Sequence, residues 1–183
     1  MSDSLLVQNC APTLAGLKSG SLFCCPYRSR EELHREVRRL NRSLGPKGIR
    51  IMPLRYSQTK ALIYVYRPKD LCRDLADHEA TRLLAEAGYE SCRPEFCLME
   101  LRRRLSLRQD FPHEIGLFLS YPPEDVRGFI DNGAARCKCC GYWKVYGDEE
   151  RARRLFRRYR QCSQALWKVW ERGVPVEKLA VAS

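Results

Sequence analysis

Ile49-Arg50-Ile51-Met52-Pro53-Leu54 and Lys60-Ala61-Leu62-Ile63-Tyr64-Val65-Tyr66 flank the polar run Tyr56-Ser57-Gln58-Thr59. Two short apolar segments around a run of turn-forming residues predict two strands joined by a hairpin. The second segment is apolar at odd and even positions alike. That pattern places it at the centre of a sheet, with both faces covered.

The neighbouring segments extend this hairpin into a fold. Upstream, Ser29-Arg30-Glu31-Glu32 fits a capping box, and Leu33, Val37, Leu40 and Leu44 recur at helical spacing until Gly45-Pro46 stops the helix. Before it, Leu22-Phe23-Cys24-Cys25 reads as a short buried strand that Pro26 ends. Downstream, a helix is expected over about Asp70 to Ala87, with Gly88 as its C-cap. Pro94 and the pair Pro122-Pro123 each open a further helix, giving a helical insert over 94–130. Tyr142-Trp143-Lys144-Val145-Tyr146 is strand-like, and a last helix runs from Asp148 to about Arg172. Cys10 to Lys18 looks like a helix opening with Pro12 in its first turn. The expected fold is one α+β domain over 1–183, with a small, roughly four-stranded mixed or antiparallel sheet. Its β-α-β-β-α-β order is ferredoxin-like, with extra helices at the N-terminus, in the insert and at the C-terminus.

The 183 residues are enough for a core without staples, and no basic leader or long apolar run points to export or a membrane span. A cytoplasmic location is expected, with the ten cysteines reduced. The net charge of +11 is spread over both halves and favours polyanions, acidic partners or anionic ligands in a non-specific way, and the cysteines add a redox partner as an expectation.

Cys137-Lys138-Cys139-Cys140-Gly141 is the leading candidate site. The spacing of Cys137 and Cys140 lets two thiolates converge on zinc, iron or an iron–sulfur cluster, and Gly141 would permit the tight turn. Cys139 lies between them. The other ligands would have to come from Cys24-Cys25, Cys92 with Cys97, Cys10 or a histidine. Arg136 and Lys138 could instead stabilise a thiolate for redox work, whereas three packed, reduced cysteines would be purely structural. Cys10, placed at a helix start, is a second candidate thiol, with burial as the alternative. His113 is a candidate acid/base or a structural histidine; His34 and His78 read as surface groups. Tyr142 and Trp143, with Tyr146, Trp167 and Trp170, could line a pocket for a flat ligand such as haem or flavin, or simply fill a core. Arg151, Arg153, Arg154, Arg157, Arg158 and Arg160 form one face of the last helix, opposite an apolar face. They are read as a solvated face, and nucleic-acid binding is a minority reading.

Three blocks carry a family resemblance: Cys10-Ala-Pro-Thr-Leu-Ala-Gly-Leu-Lys18, His113-Glu-Ile-Gly-Leu-Phe-Leu-Ser-Tyr-Pro122 continuing to Asp125-Val-Arg-Gly-Phe-Ile130, and Cys137-Lys-Cys-Cys-Gly-Tyr-Trp-Lys-Val-Tyr146. With them the chain resembles the uncharacterised bacterial family catalogued as domain of unknown function 3793. The resemblance implies no activity, and it implies His in place of Asn9 and Gly in place of Ser120. Three functional readings remain open. The first is a cysteine-cluster protein that holds a metal, cluster, haem-like or thiol-reactive ligand, or does redox chemistry. The second is an enzyme pairing a cysteine thiolate with His113. The third is a polyanion-binding or protein-interaction module using Arg151 to Arg160.

Overall fold

The hairpin read from Ile49 to Tyr66 forms strands β2 (Arg50–Tyr56) and β3 (Lys60–Tyr66) in a computed structural model, which describes residues 2–107 and 111–182. Both pair antiparallel with their neighbours: β3 lies between β1 (Gly20–Pro26) and β2, giving the order β1-β3-β2. As expected for a central strand, Ala61 through Val65 are all buried. Helix α2 (Arg30–Leu44) links β1 to β2, so these two run parallel around the antiparallel β3, as in a split β-α-β unit. Its start is capped by the Ser29 side chain, which accepts from the Glu32 N–H at 3.1 Å. Leu33, Val37, Leu40 and Leu44 are its buried face. The edge strand β2 is irregular between Pro53 and Arg55, where proline cannot donate to a ladder.

The chain divides into two compact units, Met1–Asp70 with Gln161–Ser183, and Leu71–Arg160. In the first, the sheet and α2 share one core with α1 (Asp3–Leu14) and the short α9 (Val176–Leu179). Leu6, Cys10, Leu14, Phe23, Leu40, Ile63, Val65 and Val176 lie in this core, and Trp167 and Trp170 pack against it. Elsewhere the chain forms α3 (Pro68–Leu75), α4 (His78–Glu86), α5 (Pro94–Leu107), α6 (Ile115–Phe118), α7 (Pro123–Asn132) and α8 (Glu149–Glu171). Strands β4 (Cys139–Cys140) and β5 (Lys144–Val145) pair antiparallel.

Three local expectations need correction. The helix expected over Asp70–Ala87 is two helices, because the Asp77 carboxylate caps a new start by accepting from Glu79 and Ala80 N–H at 2.9 and 3.1 Å. The strand expected over Tyr142–Tyr146 pairs only within its own two-stranded hairpin and does not join the three-stranded sheet. Finally, α1 begins seven residues before Cys10, so Pro12 stands in the last turn and not the first.

The C-terminal end of α1 meets an unusual partner, Arg67, which is 1% exposed. Its Nε donates to the Thr13 carbonyl at 2.6 Å, and its Nη2 to Leu14 and Val181 carbonyls, both at 2.7 Å. Nη1 adds a longer bond to Lys47 O at 3.4 Å. A single guanidinium thus satisfies carbonyls that a helix end leaves orphaned and ties down the C-terminal segment.

Candidate functional site

Asp125 organises the most structured surface feature of the 71–160 unit. Pro123 at the first position of α7 fixes the helix start, and the carboxylate one turn in faces inward, 3% exposed. Its Oδ1 accepts from the backbone N–H groups of Tyr146 and Gly147, and its Oδ2 from Trp143 Nε1, each at 2.7 Å. Two amides that would extend the β5 ladder are therefore consumed by α7. Tyr146 is held further by its hydroxyl donating to Gly133 O, and a Cβ on Gly128 would overlap the Tyr146 ring.

The hairpin turn is packed just as closely. Gly141 N–H donates to Trp143 O at 3.0 Å, and Trp143 stacks on Tyr121 with ring centroids 4.9 Å apart. The edge of Trp143 meets Phe156 at 4.5 Å. Gly141 was expected to serve a tight turn, yet its φ is not positive. Its role is spatial: a Cβ there would collide with the Phe156 ring.

Beneath the hairpin lies a half-open cavity of about 390 Å³. It is lined by Phe111, Pro112, His113, Ile115 and Gly116 together with Tyr121, Asp125, Val126, Phe129, Trp143 and Lys144. The walls are almost entirely carbon. Gly116 makes room for them, since a Cβ at this position would lie 2.8 Å from Val126 Cγ2 and 3.0 Å from Tyr121 Cδ2. The volume falls in the lower range of small-molecule sites.

Two candidates read from the sequence, His113 and Trp143, meet in this cavity. His113 is exposed at the mouth, its ring set edge-on to Phe129 at 5.0 Å. Trp143 is a buried wall. Tyr142 is 42% exposed and packs instead on Phe156 and Tyr159. No cysteine lines the cavity. Among the described residues no group of three or more His, Cys, Asp or Glu side chains is gathered to hold a metal ion, so the metal reading of Cys137, Cys139 and Cys140 gains nothing from the geometry. Adjacent residues of a strand project to opposite faces, which separates the side chains of Cys139 and Cys140.

Cys10 is the packed, buried residue that the sequence favours over an activated thiol, but it does not stand at a helix start. It lies inside α1 with no exposure, and burial drives its thiol far above the usual range, against the opposing pull of Lys18. Asn9, where the resemblance implies His, is exposed on another face and donates to Leu5 O at 2.8 Å, so residue 9 has no route to partner Cys10. Burial also raises the thiols of Cys25, Cys139 and Cys162, and lifts Cys97 to about 11. We predict that iodoacetamide at pH 8 modifies the exposed Cys24, Cys72 and Cys140 at least about a hundredfold faster than the buried Cys10, Cys25 and Cys97. Peptide mapping of a labelling time course reads the ratio, and equal rates would contradict the burial pattern.

Next to His113, Glu114 is buried and accepts from Arg104 Nη1 at 3.1 Å and from the Tyr89 hydroxyl at 3.2 Å. Arg104 also stacks over the Tyr89 ring and donates to Glu100 at 2.7 Å. The Arg103 guanidinium beside Glu100, with Arg104 adding to it, holds the Glu100 carboxyl at about 2. A depressed carboxyl stabilises the fold above its ordinary value of 4.5, and that contribution disappears as pH falls through about 2. Glu100→Gln is therefore expected to cost no more than about 1 kcal/mol at pH 7, with the deficit vanishing near pH 2. Thermal melts of both proteins across that range check it.

Ser120 stands where the resemblance implies Gly, and its φ of 55° is the left-handed conformation that glycine adopts without strain. Its hydroxyl donates to Asp74 Oδ2 at 2.9 Å. On α8, all six arginines from Arg151 to Arg160 are exposed opposite buried Ala152, Phe156 and Tyr159. Arg153 and Arg154 pair with Glu149 and Glu150 of the same helix. No helix is long and apolar enough to cross a membrane among the described residues.

Asp125, Gly116 and Gly128 were not legible as site residues. The only signal was their position inside the second of the three blocks quoted above. Blocks two and three thus converge on one cavity, while block one forms α1 and its Arg67-capped end. No curated protein and no solved structure matches the chain. A family model described as "Protein of unknown function (DUF3793)" matches residues 6–180, and the chain belongs to that family.

Proposed function

We propose that the 71–160 unit is a small-molecule binding module whose cavity takes an apolar, planar group. The observation that carries this reading is the carbon-walled cavity of about 390 Å³ between α6, α7 and the β4–β5 hairpin. Polar satisfaction supports it: among the described residues the one carboxylate at the wall already accepts from Trp143, Tyr146 and Gly147, so an apolar guest does not strip it of its partners. Rigidity supports it too, because Gly116, Gly128 and Gly141 each allow a contact that a side chain would block. A reading as a Cys–His enzyme has no comparable support, since His113 has no thiol beside it in the lining.

Titration of the full chain with naphthalene, followed by amide chemical shifts, tests the proposal. Shifts are expected at Ile115, Val126, Phe129 and Trp143. Ile115→Trp, which fills the cavity, should abolish them, whereas Ile130→Ser on the exposed side of α7 should not. Shifts scattered over the surface, or unaffected by Ile115→Trp, would defeat it.

A further inference from the structure

We infer that the ligand of this cavity is a small aromatic acid, its ring held by Tyr121, Phe129 and Trp143 and its single carboxylate at the mouth beside His113 and Lys144. This specification rests on the binding role proposed above. A charged group cannot be left among carbon walls, because losing its hydration without partners costs several kcal/mol. Any charge on the ligand must therefore lie at the mouth.

The chemistry of the lining then fixes its sign. Among the described residues of the lining Asp125 is the sole carboxylate, but it is 3% exposed and its oxygens already accept three hydrogen bonds from Trp143 Nε1 and the Tyr146 and Gly147 amides. It presents little to a cation. The two other ionisable side chains of the lining are donors. The His113 and Lys144 side chains make no hydrogen bond or ion pair to another described residue, and His113 is exposed while Lys144 is half-buried. Because the wall is almost all carbon, the two side chains contribute their apolar atoms to it and turn their nitrogens outward. The edge-on contact with Phe129 fixes the imidazole there. A carboxylate at this position would accept from both side chains in charge-assisted bonds, whereas an ammonium would meet the like charge of Lys144.

Calorimetric titration of the full chain with three probes of one shape decides the matter: 2-naphthoate, 2-naphthamide and 2-naphthylmethylammonium. The acid is expected to bind about tenfold more tightly than the amide, and the ammonium more weakly than either. Lys144→Met and His113→Leu should each narrow the acid–amide gap, and together close it. Raising salt should narrow the gap in the same direction. Equal binding of acid and amide, or tightest binding of the ammonium, overturns the acid assignment while leaving the apolar cavity as a binding site. Failure of all three probes to bind overturns the binding role itself.

Discussion

Asp125→Asn is expected to lower the stability of the 71–160 unit by about 2–3 kcal/mol, and Asp125→Ala by more, in guanidinium denaturation at pH 7. The asparagine oxygen can still accept from Tyr146 and Gly147 at the Oδ1 position. Its amide nitrogen, however, faces the Trp143 Nε1–H across the former 2.7 Å bond, so two donors oppose each other in a buried site. The test that isolates this contact is a double-mutant cycle. In a Trp143→Phe background the indole donor is gone, and Asp125→Asn should then cost less than half as much. An unchanged cost would mean that Trp143 is not the partner that matters.

A larger loss is expected from Arg67→Met, about 4 kcal/mol. Methionine keeps much of the stem but no donor: the Val181 and Lys47 carbonyls would lose their guanidinium bonds where residue 67 is 1% exposed, and the Thr13 and Leu14 carbonyls would keep only the Gly16 and Val181 amides. Arg67→Lys should recover little of this, because an ammonium lacks the planar fork that reaches several carbonyls from one stem. A loss below about 1 kcal/mol for Arg67→Met would show that the end of α1 finds its partners elsewhere. Because the contact joins α1 to Val181, hydrogen exchange of the Val181 amide, which donates to Leu14 O at 3.0 Å, should accelerate in the variant.

Both residues show what was legible in the sequence. The β1-α2-β2-β3 framework was readable because its signals are local: the Ser29 cap, the Leu33/Val37/Leu40/Leu44 stripe and the doubly apolar β3 each state their own structure. The break at Asp77 was missed because a cap inside a run of helix formers looks like a helical residue until its bonds are seen. The detached β5 hairpin was missed for a different reason. Tyr142-Trp143-Lys144-Val145-Tyr146 has strand propensity, but only Lys144 and Val145 pair, with β4, and the Tyr146 amide donates to a carboxylate 21 positions upstream. Non-local polar contacts of this kind leave no periodicity. Arg67 follows the same rule, since its partners lie more than 50 residues away at Thr13 and 114 away at Val181.

The candidate site was legible in outline only. His113 and Trp143 were singled out and do share a cavity, and the cysteine motif was a pointer to the hairpin that walls it. The thiols themselves do not reach the cavity lining. Cys10 is misplaced by the sequence because Pro12 reads as a helix opener, whereas it stands in the last turn of α1.

The cavity itself is tested most directly by a crystal structure of the full chain grown with saturating naphthalene. The expected result is ordered density for the ring between Ile115, Phe129 and Trp143, with the Asp125–Trp143 bond intact. Crystals that hold naphthalene elsewhere and leave this cavity empty would contradict it.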